Sequence, residues 1–325
     1  MDPKPPGAPS ACPARWVMMR RAVWLILTTA APLAAHAQPV VSFQKEDGCL
    51  RIKVRERPFA VYVWNDPKIP RPYFSDIHSV DGLSVTRNNP PIEGKDATDH
   101  ATFHPGLWMA FGDLSGADFW RNKARVVHAG FAEEPTARGN TGTFTVLNKY
   151  KMGESTICDE LCRIEIVVQA DHVLIDWKST FQSKDTLVFG DQEEMGLGVR
   201  VATGLSVERG GVIVNANAQI NEKQAWGQAS AWCDYSGVIE GKPVGVAFMP
   251  DPANFRPSWF HVRDYGLMVA NPFGRNALAQ GEISRVVVKP DQAFALRFGV
   301  LIHSGFADPQ ALHGEWIAHL KSGKP

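Results

Sequence analysis

The sequence predicts an all-β protein: a large antiparallel β-sandwich with one C-terminal helix. Three observations carry this expectation. Apolar and polar residues alternate with period two through almost the whole stretch from Val40 to His303. Turn-forming residues punctuate these runs at short, regular intervals, as in sandwiches and barrels. The βαβ alternation that would signal a parallel sheet is missing.

Taken in order, the chain begins with a segment to set aside. Arg20-Arg21 precedes an apolar run from Ala22 to Ala35, and Ala35-His36-Ala37 is a small-x-small cleavage pattern. This reads as a secretory leader removed after Ala37, behind a Pro-rich extension, so a periplasmic or secreted protein is expected. The run is too short for a good membrane span. Residues 38–325 show no internal repeat or linker and are expected to form one domain. Without Lys4, Arg15, Arg20, Arg21 and Asp2 the chain keeps 30 basic and 33 acidic residues, a net charge of −3. That gives no electrostatic case for nucleic acid or anionic lipid.

Arg163–Gln169 and Val173–Phe181 flank a turn-like Ala170-Asp171-His172 and predict a hairpin. Leu205–Asn215 predicts a second around Gly210-Gly211. Trp232–Tyr235, Ser236-Gly237 and Val244–Met249 predict a third, and Ser284–Lys289 with Ala293–His303 a fourth across Pro290-Asp291. One helix is expected where Asp308 caps, Pro309 takes the first helical position, and Leu312, Trp316, His319 and Leu320 form a stripe ended by Gly323. Four cysteines follow the leader: Cys49, Cys158, Cys162 and Cys233. They lack zinc-site spacing, and an exported chain favours a local disulfide between Cys158 and Cys162.

Three polar clusters interrupt this plain pattern. In Asp99-His100-Ala101-Thr102-Phe103-His104-Pro105-Gly106-Leu107-Trp108, Pro105 disfavours helix at His104. The expected extended chain would place His100 and His104 on one side, well separated, with Asp99 tuning an acid–base imidazole. In Gly190–Arg200, Glu193 and Glu194 would point to opposite sides of a strand, leaving one to act as a base. In Trp259–Gly274, a strand puts Trp259, His261, Arg263 and Tyr265 on one face, with Asn271 following. An aromatic platform beside guanidinium donors suits a sugar or a carboxylate. Trp232, Asp234 and Tyr235 are expected to add a similar surface. GxSxG, Walker, dinucleotide and HExxH motifs are absent.

The segments DHATFHPGLWMAFGDLSGADFW, EEMGLGVRVATGL, WGQASAWCDYSG and WFHVRDYGLMVANPFG resemble the bacterial family labelled methane oxygenase PmoA, over about Tyr73 to His303. The label's membrane sense does not fit, because a membrane subunit needs repeated apolar runs of about 20 residues. The resemblance implies a soluble protein with a sandwich similar to that of galactose mutarotase-like proteins. Residues and resemblance together predict a hydrolase, lyase or epimerase of a sugar, acting on a small molecule or oligosaccharide. His100, His104, Glu193, Glu194 and His261 are the acid–base candidates. Asp99, Trp108, Trp232, Asp234, Tyr235, Trp259, Arg263, Tyr265 and Asn271 are the binding candidates. A sugar-binding module without catalysis, and a divalent-metal enzyme using the histidines with a carboxylate, are the alternatives.

Overall fold

The computed structural model describes Met1, residues 39–306 and residues 308–323; the expected cleavage site at Ala37 lies outside the described residues. Two eight-stranded antiparallel sheets face each other. The first runs in the order β1 (Val41–Glu46), β2 (Cys49–Val54), β3 (Arg57–Val63), β4 (Tyr73–Ser75), β5 (Leu107–Phe111), β11 (Met195–Arg200), β16 (Leu267–Asn271), β15 (Trp259–Arg263). The second runs β12 (Val212–Asn215), β13 (Cys233–Ile239), β14 (Lys242–Pro250), β18 (Phe294–Ser304), β9 (His172–Gln182), β8 (Ser155–Val168), β7 (Thr141–Met152), β6 (Arg125–Arg138). A small pair, β10 (Leu187–Phe189) and β17 (Val286–Val288), lies beside them. The expected antiparallel sandwich is therefore the observed one.

Strand parity explains the layering. Leu107, Met109 and Phe111 of β5 point into the core between the sheets, where Phe111 meets Phe181 of β9 at 5.4 Å. Trp108 and Ala110 point the other way. The outer face of the second sheet is also apolar, with Leu174, Met249 and Leu301, and it is covered by Leu312 and Trp316 of the terminal helix α2 (Pro309–Ser322). Asp308 caps that helix by accepting from the Gln310 N–H at 3.0 Å, and Gly323 ends it, as the sequence predicts. The only other α-helix among the described residues, α1 (Asn221–Ala225), is a single turn.

Several local expectations are corrected. The β8–β9 hairpin forms as expected. The third hairpin forms too, but it turns at Glu240-Gly241, both at positive φ, because β13 continues through Ser236-Gly237. Residues 203–209 make two 3₁₀ turns ended by Gly210 at φ +95°, leaving only β12 as strand, and β12 pairs with β13. β17 pairs with β10, not with β18. The Cys158–Cys162 disulfide does not form, and all four described cysteines are free. Both residues lie inward on one extended strand, β8. Four strand residues span about 13 Å, whereas a disulfide needs Cα atoms within about 7 Å. Unreduced, denatured protein should accordingly alkylate fully at Cys49, Cys158, Cys162 and Cys233; a peptide in which Cys158 and Cys162 remain linked would contradict this register.

Candidate active site

The outer face of the first sheet is polar as well as apolar. The register aligns Trp108 with Gly198, Gly198 with Val269, and Val269 with His261. The next row joins Arg200, Leu267 and Arg263. Gly198 gives the Trp108 and Trp120 rings room, since a Cβ would approach them to 3.0 Å and push them outward. The two indole centroids are 5.1 Å apart.

Residues 99–104 are not extended. The His104 N–H donates to the His100 carbonyl at 2.9 Å, closing a single turn that stacks the two imidazoles at 4.8 Å and 20°. Pro105 restricts His104 but cannot prevent a turn that ends there. The stack extends to four rings: Tyr265 on His100 (6.2 Å), His100 on His104, and His104 on Trp108 (5.3 Å). His104 is 1% exposed, and neither ring nitrogen has a hydrogen-bond partner. Burial, reinforced by the Arg200 charge, pushes its pKa well down, so the ring is neutral. His100 is the accessible member of the pair, and its Nδ1–H donates to Asp99 Oδ2 at 2.8 Å.

Buried guanidinium groups hold this turn. Arg200 grips Asp99 through two bonds of 2.8 and 2.7 Å and lies over the Tyr265 ring at 4.4 Å. Arg87 donates to the carbonyls of Ala97, Asp99 and His104, and Arg71 to those of Phe103, Phe119 and Trp120. Burial would raise the Asp99 carboxyl, but the bonds from Arg200 and His100 hold it well below the usual carboxylate range.

The second and third clusters meet on the same face. A bend at Glu193-Glu194, rather than a strand, lets both carboxylates turn toward the site. Glu193 pairs with Arg263 at 3.1 Å, and Arg263 also bonds Glu222 at 2.7 Å. Glu194 contacts Arg121; burial raises its pKa, against the opposing pull of Arg121 and His100. His261 is 2% exposed and accepts from Trp226 Nε1 at Nδ1, 3.1 Å away. Nδ1 therefore cannot also donate to Glu193, and their 3.6 Å approach is a contact of a neutral ring. Burial, with Arg263 nearby, lowers the His261 pKa to about 3.

That shift has a measurable consequence. Between the unfolded pKa near 6.5 and about 3, the unfolded chain binds a proton at this position that the folded chain refuses. Stability is full above about pH 6.5 and should fall by up to about 1.4 kcal/mol per pH unit below it. Urea midpoints measured from pH 7 to 4 should show a shallower slope in His261→Gln; an unchanged slope would place the proton elsewhere.

Trp232, Asp234 and Tyr235 lie apart from this face. Trp232 and Asp234 belong to the second sheet and its α2 contacts: Trp232 Nε1 donates to Gln310 at 3.2 Å, and Asp234 pairs with His303 at 3.0 Å. Tyr235 is a strut whose hydroxyl bonds the Asp264 carbonyl at 2.9 Å and the Val207 N–H at 3.1 Å. Asn271 is fully buried; its amide donates to the Gln192 and Glu193 carbonyls and accepts from the Phe273 and Gly274 N–H groups. It shapes the 190s bend and has no bond left for a ligand. Trp259 lies on the site's face at the sheet edge, paired with Asn271. Sequence reading missed Arg71, Arg87, Arg121, Arg200, Trp120 and Trp226. Only Arg200 gave a signal, two residues from Gly198 and so on the same strand face.

The donor atoms of Asp99, His100 and His104 lie within 4.8 Å of one another, the one grouping among the described residues that could hold a metal. Its chemistry fits poorly. Imidazole lone pairs lie in the ring plane, so stacked rings aim past each other, and both Asp99 oxygens already bond Arg200. Three buried guanidinium groups also oppose a cation.

The chain belongs to DUF6807, a family of unknown function whose model matches residues 49–317. This overturns the methane-oxygenase resemblance, which the matching family does not support. A comparison with curated proteins finds no match. Among solved structures, the chain is similar to an α-galactosidase from Lactobacillus brevis (TM-score 0.41, 8% identity, 83% of this chain and 40% of that one). It is also similar to a galactose mutarotase related enzyme from Lactobacillus acidophilus (TM-score 0.33, 9% identity, 81% and 97%). A galactose mutarotase-like protein from Lactobacillus casei gives TM-score 0.32 and 8% identity over 81% and 100%. The chain spans about two fifths of the α-galactosidases it matches. Among the described residues no helix is long and apolar enough to cross a membrane.

Proposed function

We propose that the protein is an exported carbohydrate-processing enzyme, a hydrolase, lyase or epimerase working by acid–base chemistry on the outer face of the first sheet. The observation that carries this reading is the convergence of three remote segments around one accessible imidazole. His100 stacks on Tyr265 of the third cluster, Arg200 of the second grips Asp99 beside it, and Glu193 bonds Arg263.

The roles follow from the chemistry. His100 donates its Nδ1–H to Asp99, so Nε2 carries the lone pair and serves as general base. Glu194, with its raised pKa, keeps a proton longer than an ordinary carboxyl and serves as general acid. His104 and His261, both buried and neutral, are positioning residues. Arg263 and the exposed edge of Tyr265 hold hydroxyl groups of the ring. A base whose lone pair is oriented by Asp99, beside an acid with a raised pKa, is what bond cleavage or epimerisation at a sugar requires. No metal enters this scheme.

Purified mature protein screened against neutral and acidic disaccharides, with product detection by mass spectrometry, tests the reading. Turnover should persist in EDTA, because no step uses a metal. Turnover abolished by EDTA and restored by a divalent cation would favour the metal-dependent alternative at Asp99, His100 and His104. Export is tested separately: the periplasmic form should start near Gln38.

A further inference from the structure

A cavity of about 410 Å³ lies at the rim of the second sheet, where the end of β14, the loop after it and α2 meet. It shares no residue with the polar face of the first sheet, so binding in it is independent of the acid–base chemistry proposed there. Its walls include Pro250, Pro252 and Pro257, which present rigid apolar surfaces. Two hydrogen-bonding groups on its lining are unused. Ser258 is fully buried and its hydroxyl has no partner. His313 Nε2, on the first turns of α2, is likewise buried and unpartnered. A buried polar group without a partner costs about 1–3 kcal/mol, so two on one cavity wall point to something that bonds them.

The chemistry of the lining narrows the ligand. Among the described residues the cavity is lined by no lysine or arginine, which excludes recognition of a phosphate or carboxylate by charge. Its one carboxylate, Asp251, accepts from the Ala253 N–H at 2.8 Å and lies 3.9 Å from Arg297, so it is not free to hold a cation. A hydroxyl and a neutral imidazole nitrogen can each donate or accept, which matches ligand hydroxyl groups. Burial keeps His313 in that neutral form. The volume lies within the range of small-molecule sites.

We propose that this cavity binds a neutral, hydroxylated ring of monosaccharide size, held by Ser258 and His313 against the proline walls. It would be a sugar-binding site separate from the catalytic face.

Saturation-transfer NMR on the full mature chain tests this, with methyl β-glucopyranoside and methyl α-galactopyranoside as probes and methyl glucuronoside as anionic control. At least one neutral glycoside should bind, with Ser258→Ala and His313→Leu each weakening it about tenfold or more. His100→Ala should leave this binding unchanged. If Ser258→Ala fails to fold, His313→Leu, at a half-exposed helix position, reads the same contact. Three results would overturn the proposal: no neutral glycoside binds, affinity is indifferent to both cavity variants, or the glucuronoside binds the cavity as well. Binding lost only in His100→Ala would assign the sugar to the catalytic face and equally refute the cavity site.

Discussion

His100→Ala is expected to lower turnover by about 10²–10⁴-fold, the usual contribution of a general base, with little change in stability. His100 has the one exposed imidazole in the stack, with its side chain 44% accessible. Truncating such a group typically shifts stability by no more than about 0.5 kcal/mol, and alanine keeps the Cβ at this positive-φ position (φ +49°). The loss should fall on kcat. His261→Ala must behave differently. Its ring is buried and bonded to Trp226, so removing it should lower the melting temperature as well as turnover. If His100→Ala unfolds the protein, or leaves kcat intact, the imidazole is structural and the assignment fails.

Trp120→Ala is expected to have the largest effect on stability, about 3–5 kcal/mol, the range for removing a buried aromatic ring. Trp120 is fully buried and forms the floor of the site, edge-on to both Trp108 and His104. Against a typical total of about 5–15 kcal/mol, that loss should move the urea midpoint strongly at constant slope. Trp120→Phe should recover much of it. Turnover should fall even in the folded fraction, because His104, which supports His100, would lose its neighbour. A variant with wild-type midpoint would show that the outer face is not packed as described.

Much of the fold is legible in the sequence, and for a clear reason. Period-two alternation fixes which residues of β8 from Arg163 onward face inward whatever the partner strand is, and Asp308, Pro309 and Gly323 bound a helix by local chemistry alone. The existence of the three polar clusters is legible in the same way, since each breaks a plain pattern. Turn positions are harder to read: Ser236-Gly237 and Glu240-Gly241 both carry turn residues, and only pairing with β14 selects between them.

The sequence by itself determined the strand faces, the terminal helix and the chemistry available to a site at residues 99–108, 190–200 and 259–274. Tertiary structure alone decided how that chemistry is used. Arg71, Arg87 and Arg200 are ordinary charged residues in the sequence, yet folding buries them against carbonyls and Asp99, and this holds His100 and His104 in a stacked turn. Burial then made His104 and His261 neutral while leaving His100 at the surface. Cys158 and Cys162, four residues apart, are held apart by the extended conformation of β8. Side-chain chemistry is local, but desolvation and pairing depend on which remote segments are packed around a group, and no short window of sequence contains them.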